Sequence, residues 1–273
     1  MIYKLFFIFG LSFAVLFGIA AYNDNNREWK KYQTEFLKIE LKKAATPEEK
    51  ASVKLVNEIK QIQVSELKRA DRCTTCHMGV DNPKFADANK IYKTHSNFEQ
   101  HPFERFGCTI CHKGQGRATT VKAAHGNVRH WEEPMWEKEY IQVSCGKCHS
   151  EQEVKGAPLL SLGRKLYAEK GCAGCHKIEG VSNGSIGPEL TAVGSKYKHE
   201  FDFARIKGEH TIANWIFEHF KNPQAVTPGT IMPNFNFTDE EAKALTIYML
   251  SLTKGKIPYE YRALSISSAT ARP

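Results

Sequence analysis

The sequence predicts a mainly α chain in four parts: an N-terminal transmembrane helix, a helical spacer, a loop-rich block, and a C-terminal helical module. Three observations carry this expectation. Residues 5–22 form an apolar run behind Lys4. Capping boxes at Thr46/Glu49 and Thr238/Glu241 mark helix starts on either side of a Gly- and Pro-broken middle. All eight cysteines fall into four copies of Cys-x-x-Cys-His. The expected boundaries are 1–22, 23–70, 71–158 and 159–256, with a tail at 257–273.

The run at 5–22 meets the length of about 18 residues that a membrane-spanning helix needs. A cleaved signal peptide is the competing explanation, with Gly18 and Ala20 as a weak small-x-small site. The run is longer than a usual signal core, so an uncleaved single-pass anchor is expected.

In the spacer, Trp29, Tyr32, Phe36 and Ile39 keep helical spacing, and so do Val53, Val56, Ile59 and Ile62. Between the two sets, Thr46 can cap, Pro47 suits a first helical turn and Glu49 completes the box. Two helices are therefore expected, their apolar stripes serving as packing faces. Fully helical, about 50 residues would reach about 75 Å at about 1.5 Å per residue.

The repeated motif is Cys73/Cys76/His77, Cys108/Cys111/His112, Cys145/Cys148/His149 and Cys172/Cys175/His176. It leaves no cysteine for a disulfide, a thiol nucleophile or a separate metal cage. Such a run attaches c-type haem through two thioethers, with the histidine as one axial iron ligand. A single copy would also suit a thioredoxin-type pair or half a zinc site. Neither alternative requires histidine directly after the second cysteine, which is present in all four copies. The expected cofactors are four covalently attached haems.

Three of these motifs lie within about 80 residues, too short a chain to give each macrocycle its own apolar core. The haems are expected to form the core themselves, among loops broken at Gly79, Pro83, Pro102, Gly107, Gly114, Gly116, Gly126 and Pro134. Four histidines outside the motifs, His95, His101, His125 and His130, are candidates for three distal positions. His101 and His125 are favoured, because Pro102 and Gly126 beside them fix local backbone direction. His95 and His130 compete for the third place. Met135 is a further candidate, and Met78 a weaker one because it follows a motif histidine.

From about residue 159 the chain resembles class I cytochrome c. The resemblance rests on a helix at 159–170, Gly171-Cys172-Ala173-Gly174-Cys175-His176, Gly187-Pro188-Glu189-Leu190, Trp215-Ile216, Pro228-Gly229-Thr230-Ile231-Met232-Pro233 and a helix at about 239–252. It implies Met232 as the second axial ligand of the fourth haem, with the Pro188 carbonyl orienting His176. It also implies that the first and last helices cross at Gly163, Tyr167, Leu245 and Tyr248. His199, His210 and His219 are expected as surface or packing residues, and 195–209 as an insertion. The predicted architecture is thus an anchor, a spacer, a trihaem domain and a class I cytochrome c helical domain.

Haem of this type is attached outside the bacterial inner membrane. The haem domain is therefore expected on the periplasmic side, although Lys4, Arg27, Lys30 and Lys31 are distributed the wrong way for the positive-inside rule. The formal charge of +8 would ordinarily suggest nucleic acid. Four haems bring about eight propionate charges, so no nucleic-acid partner is expected. The expected partners are membrane lipid, a cytochrome b or other quinol-reactive membrane subunit, and a soluble redox acceptor.

The overall layout resembles the multihaem cytochrome c subunits of bacterial quinol-oxidising cytochrome b/c-type complexes, which implies a non-catalytic electron carrier in a respiratory chain. A direct quinol dehydrogenase of the single-anchor tetrahaem type is the alternative. The reach of the spacer argues against it, and that family lacks a class I module. A reductase would need an iron with an open site, which the surplus of distal candidates disfavours.

Overall fold

The computed structural model describes residues 1–96, 99–255 and 257–262. It divides into two units, Met1–Thr109 with Lys113–Pro134, and Ile110–His112 with the chain from Met135 onward. The fold is mainly helical. Most of the expected tail, residues 263–273, lies outside the described residues.

This division departs from the boundary expected at 158/159. The stretch 71–158 is not one compact unit: Cys111 and His112 of the second motif, and the whole third motif at Cys145/Cys148/His149, fall in the second unit. The reason is local bonding. The Ile110, Cys111 and His112 carbonyls accept from Lys147 Nζ at 3.1 Å, Ser144 Oγ at 2.5 Å and the Trp136 N–H at 2.9 Å, all residues of that unit.

In the first unit, α1 (Ile2–Asn25) contains an 18-residue stretch of mean hydropathy 2.3, long and apolar enough to cross a membrane, and buries none of its side chains. Asn26 ends it, its backbone N–H and its Nδ2 both donating to the Tyr22 carbonyl. α2 (Glu28–Lys43) follows at once and buries Trp29, Gln33 and Phe36, one stripe at helical spacing. Phe36 stacks on Phe85 at 4.7 Å between ring centroids and leans on Tyr92 at 5.5 Å. Tyr92 is fully buried and donates its hydroxyl to the Tyr32 carbonyl at 3.0 Å.

The spacer departs from expectation after its capping box. α3 (Pro47–Ser52) opens on the Thr46/Glu49 box but stops after six residues. The helical pattern of Val53, Val56, Ile59 and Ile62 does not form a helix. The chain runs on to β1 (Ile62–Val64), which pairs antiparallel with β2 (Arg69–Asp71). All four positions are β-branched, which weakens a helix, and the carbonyls of Glu58 and Lys60 are taken by Gln33 Nε2 at 2.7 Å and Thr75 Oγ1 at 3.0 Å. The spacer is therefore not an extended arm: α2 lies against the first motif, where Gln33 Nε2 also donates to the Thr75 carbonyl at 3.1 Å.

The loop-rich character expected beyond residue 71 is present. Among the described residues from 72 to 137, regular structure is limited to short turns, including α4 (Phe103–Phe106), α5 (Thr109–His112) and α6 (Val121–Ala124).

The second unit has a conventional core. Its elements are a 3-10 stretch at Lys138–Lys147, α7 (Pro158–Glu169), the small pair β3 (Lys177–Ile178) and β4 (Ser182–Asn183), α8 (Ile212–Lys221), α9 (Pro223–Val226) and α10 (Asp239–Ser251). α10 starts at the Thr238/Glu241 capping box and is buried almost all round, with Leu245 and Ile247 fully enclosed. Burying side chains of that size contributes about 1.5–3 kcal/mol each. α7 crosses α10 where Gly163 leaves room: a Cβ there would come within 2.2 Å of the Ala244 carbonyl oxygen. Tyr167 and Tyr248 meet edge to face beside the crossing, at 5.6 Å.

Candidate haem-attachment sites

Three of the motifs fold into the same short turn. The N–H of His77, His149 and His176 donates to the carbonyl of Cys73, Cys145 and Cys172 respectively, at 2.9 Å each. The second cysteine of each donates to the same carbonyl, at 3.1, 3.2 and 3.1 Å in that order. Winding the five residues this tightly puts both thiols and the imidazole at one locus.

The second motif differs from the other three. Its turn is α5, which follows Cys108 directly, so that Cys111 sits inside a helical turn where Cys76, Cys148 and Cys175 each come just after a 3-10 turn. Side chains from elsewhere hold each end of this turn. Asp71 Oδ2 takes the N–H groups of Cys108 and Thr109, a carboxylate at the start of the helix. The Cys111 carbonyl is taken by Ser144 Oγ. The four-copy repeat in the sequence therefore does not carry over into four identical turns. All eight cysteines are described, each is half-buried, and none is in a disulfide.

The rings are held by one nitrogen. His77 Nδ1 lies 3.0 Å from the Ile91 carbonyl, His149 Nδ1 2.6 Å from Glu151 Oε1, and His176 Nδ1 2.8 Å from the Pro188 carbonyl. An acceptor on Nδ1 fixes the ring's direction and favours the tautomer that would present Nε2 to a metal. The Pro188 contact is the one the sequence suggested. Gly187 is required beside it, since a Cβ would stand 2.5 Å from His176 Cε1. Tyr167 and Ser182 hydroxyls donate to the His176 carbonyl at 3.1 and 2.8 Å, and Arg164 Nη2 donates to the His149 carbonyl at 2.6 Å.

Around the first motif, burial, aided by nearby His125, holds His77 below the usual imidazole range and so favours its neutral, coordinating form. Burial, then Glu28 and Cys73, push the Cys76 thiol up to about 11. The Cys73 thiol hydrogen-bonds with that of Cys108, and this contact holds it below the ordinary thiol value. Asp71 is almost fully buried, and besides the two N–H groups at Cys108 and Thr109 it accepts the Thr109 hydroxyl on Oδ1 at 2.7 Å. It thereby ties β2, just ahead of the first motif, to the start of the second. Gly107 and Gly116 crowd that carboxylate so closely that a Cβ would fall within 2.5 and 2.1 Å of its oxygens. Neither Asp71 nor Gln33 carries a sequence signal that marks it as motif support.

Among the distal candidates, His125 stands opposite a motif histidine: its ring centroid is 6.4 Å from that of His77. His95 is exposed, with its ring edge-on to Phe103 at 5.7 Å, and His101 is exposed beside Phe106 at 5.4 Å. His130 is exposed and has a φ of 66°. Met78 is buried with Phe36 and Phe85, whereas Met135 is exposed.

In the second unit, Met232 is half-buried against the core, its carbonyl accepting from Gln224 Nε2 at 2.6 Å and its N–H donating to Thr230 Oγ1 at 3.2 Å. Cys172, Leu190, Ile212 and Trp215 are likewise only partly covered and pack on the same core. Unlinked thiols, an uncommitted Nε2 and partly covered apolar side chains form a donor set and lining that fit haem c. His199, His210 and His219 stack on Tyr197, Phe203 and Trp215. Burial, with His176 nearby, pushes His219 down to about 4, so it packs as a neutral ring.

The helix crossing at Gly163, the ring-orienting Pro188 and the Cys-Ala-Gly-Cys-His turn together define a cytochrome c domain in the C-terminal region. Residues 160–253 match the family model described as Cytochrome c. A cytochrome c oxidase subunit 2 from Alkalihalophilus pseudofirmus is 28% identical over 105 residues, covering 38% of this chain and 28% of that protein. No solved structure matches. The match of this region to the cytochrome c family implies covalently bound haem c and electron transfer for this domain.

Proposed function

We propose that this chain is a membrane-anchored tetrahaem c-type cytochrome that carries electrons from a quinol-oxidising membrane partner to an external acceptor in a respiratory chain. Cys73/Cys76, Cys108/Cys111, Cys145/Cys148 and Cys172/Cys175 hold the four haems, with His77, His112, His149 and His176 as proximal ligands. Met232 is the distal ligand in the cytochrome c domain, and His101, His125 and one of His95 and His130 supply the other three. Bound haem c provides a one-electron ferric/ferrous couple, whose potential axial methionine raises. The haem-bearing part lies on the periplasmic side, where attachment takes place.

The observation that carries this proposal is the junction of anchor and first motif. Gln33, which donates to Thr75 inside the motif, comes eight residues after Asn25, the end of α1. Eight residues span about 12 Å as helix and at most about 28 Å extended. An electron-entry site placed so near the anchor suits uptake of electrons from the membrane.

The same junction favours a second reading, direct quinol oxidation by the chain itself, because the spacer no longer separates the first motif from lipid. Purification from membranes in mild detergent tests both. Mass spectrometry should show four covalent haem additions, and the chain should co-purify with a cytochrome b or other quinol-reactive subunit. Recovery alone with quinol-oxidising activity favours the second reading, and fewer than four additions defeats both.

A further inference from the structure

We infer that His77 and His125 are the two axial ligands of one iron, that of the haem carried by Cys73 and Cys76. The inference rests on the proposal above that this motif binds haem, and it adds the identity of the second ligand.

The ring centroids are 6.4 Å apart with 30° between the ring planes. That is too far for face-to-face contact, which for carbon atoms falls at about 3.5–4 Å. It matches two imidazoles sharing a metal: two metal–nitrogen bonds of about 2.0 Å plus two ring half-widths of about 1.1 Å give about 6.2 Å. His77 has its Nδ1 engaged by the Ile91 carbonyl, so its Nε2 is the nitrogen left for iron.

Both ligand-bearing segments are fixed to the same helix. Near the start of α2, Glu28 Oε2 accepts the Val121 N–H at 2.9 Å, which holds α6, and His125 directly follows α6. Further along α2, Gln33 donates to Thr75 in the motif that ends at His77. The far side of His125 is fixed as well. Gln115 N–H donates to the Ala124 carbonyl at 2.8 Å, and Gly114 packs so closely that a Cβ would stand 2.4 Å from that oxygen. Gly126 then turns the chain away at a φ of 77°. The separation of the two rings is therefore set by a rigid frame and not by two independent loops.

The test is His125→Ala in the full-length, detergent-solubilised protein. Four haem additions by mass spectrometry would show that attachment is intact, so that failure of the haem reading is scored separately. One haem equivalent should then pass from low-spin to high-spin in the ferric electron paramagnetic resonance spectrum, and added imidazole should return it to low-spin. Four haems with an unchanged all-low-spin spectrum would overturn the inference. If His125→Ala does not accumulate, His125→Met provides the second measurement. A rise in the midpoint potential of one haem supports the pairing, and an unchanged titration overturns it.

Discussion

Gln33 on α2 donates its side-chain amide to the carbonyl of Thr75, between the two cysteines of the first motif, at 3.1 Å. The side chain is almost fully buried and reaches the Glu58 carbonyl at 2.7 Å with the same nitrogen. One amide thus joins the helix that follows the apolar α1, the irregular end of the spacer and the motif turn.

Gln33→Ala should destabilise the folded protein by about 2 kcal/mol, since it removes two hydrogen bonds and leaves two carbonyls short of a donor. Chemical denaturation followed in the visible absorption bands would measure the loss. A midpoint equal to that of the unsubstituted protein would show that the amide is not a structural link.

Gly163→Val should disrupt the crossing of α7 and α10. The added side chain would meet the Ala244 carbonyl oxygen and Tyr248 Cβ, which already stand 2.2 and 2.9 Å from the position of a single Cβ. Overpacking of this kind costs about 1–3 kcal/mol or more. Thermal unfolding of the variant should begin earlier.

Met232→His should lower the midpoint potential of the haem at Cys172/Cys175. Exchange of thioether for imidazole should move it by on the order of a few tenths of a volt, within the range of about 0.8 V that axial ligation spans. A redox titration showing the highest-potential component unchanged would count against Met232 as ligand.

Acid should weaken the start of α10. Glu241 accepts the Thr238 N–H at 2.9 Å, and this contact, chief among its surroundings, holds the carboxyl below its ordinary value. A carboxyl depressed in the folded state contributes stability above its unfolded value, and the contribution is lost as pH falls through the folded one. Melting temperature measured against pH should therefore fall less steeply on the acid side for Glu241→Gln than for the unsubstituted protein.

The parts of the fold written in short-range chemistry were legible in the sequence. The two capping boxes, the apolar helix α1 and the Pro188 carbonyl beside His176 follow from residues at fixed local offsets. The stretch from Val53 to Ile62 was misjudged because its spacing of apolar residues matches a helix, whereas its backbone carbonyls are claimed by Gln33 and Thr75 from elsewhere in the chain. The Ser144 hydroxyl that takes the Cys111 carbonyl lies 33 residues further on, so no local pattern marks it. The facing of His77 and His125 depends on α2 bracing two segments far apart in sequence, and no local pattern encodes that. Asp71 was missed for the same reason, since its partners at Cys108 and Thr109 lie in the next motif.

Only Asn26 and Arg27 separate α1 from α2, and Asp24 bridges that gap with ion pairs to Arg27 at 3.4 Å and Lys30 at 3.5 Å. Two residues make a joint rather than a tether. With α1 seated in a bilayer, whatever folds on α2 is confined to a thin layer above the lipid headgroups and cannot wander on a long leash. A neighbour embedded in the same membrane then meets it by sliding in two dimensions. Weak docking surfaces suffice for frequent encounters under such confinement.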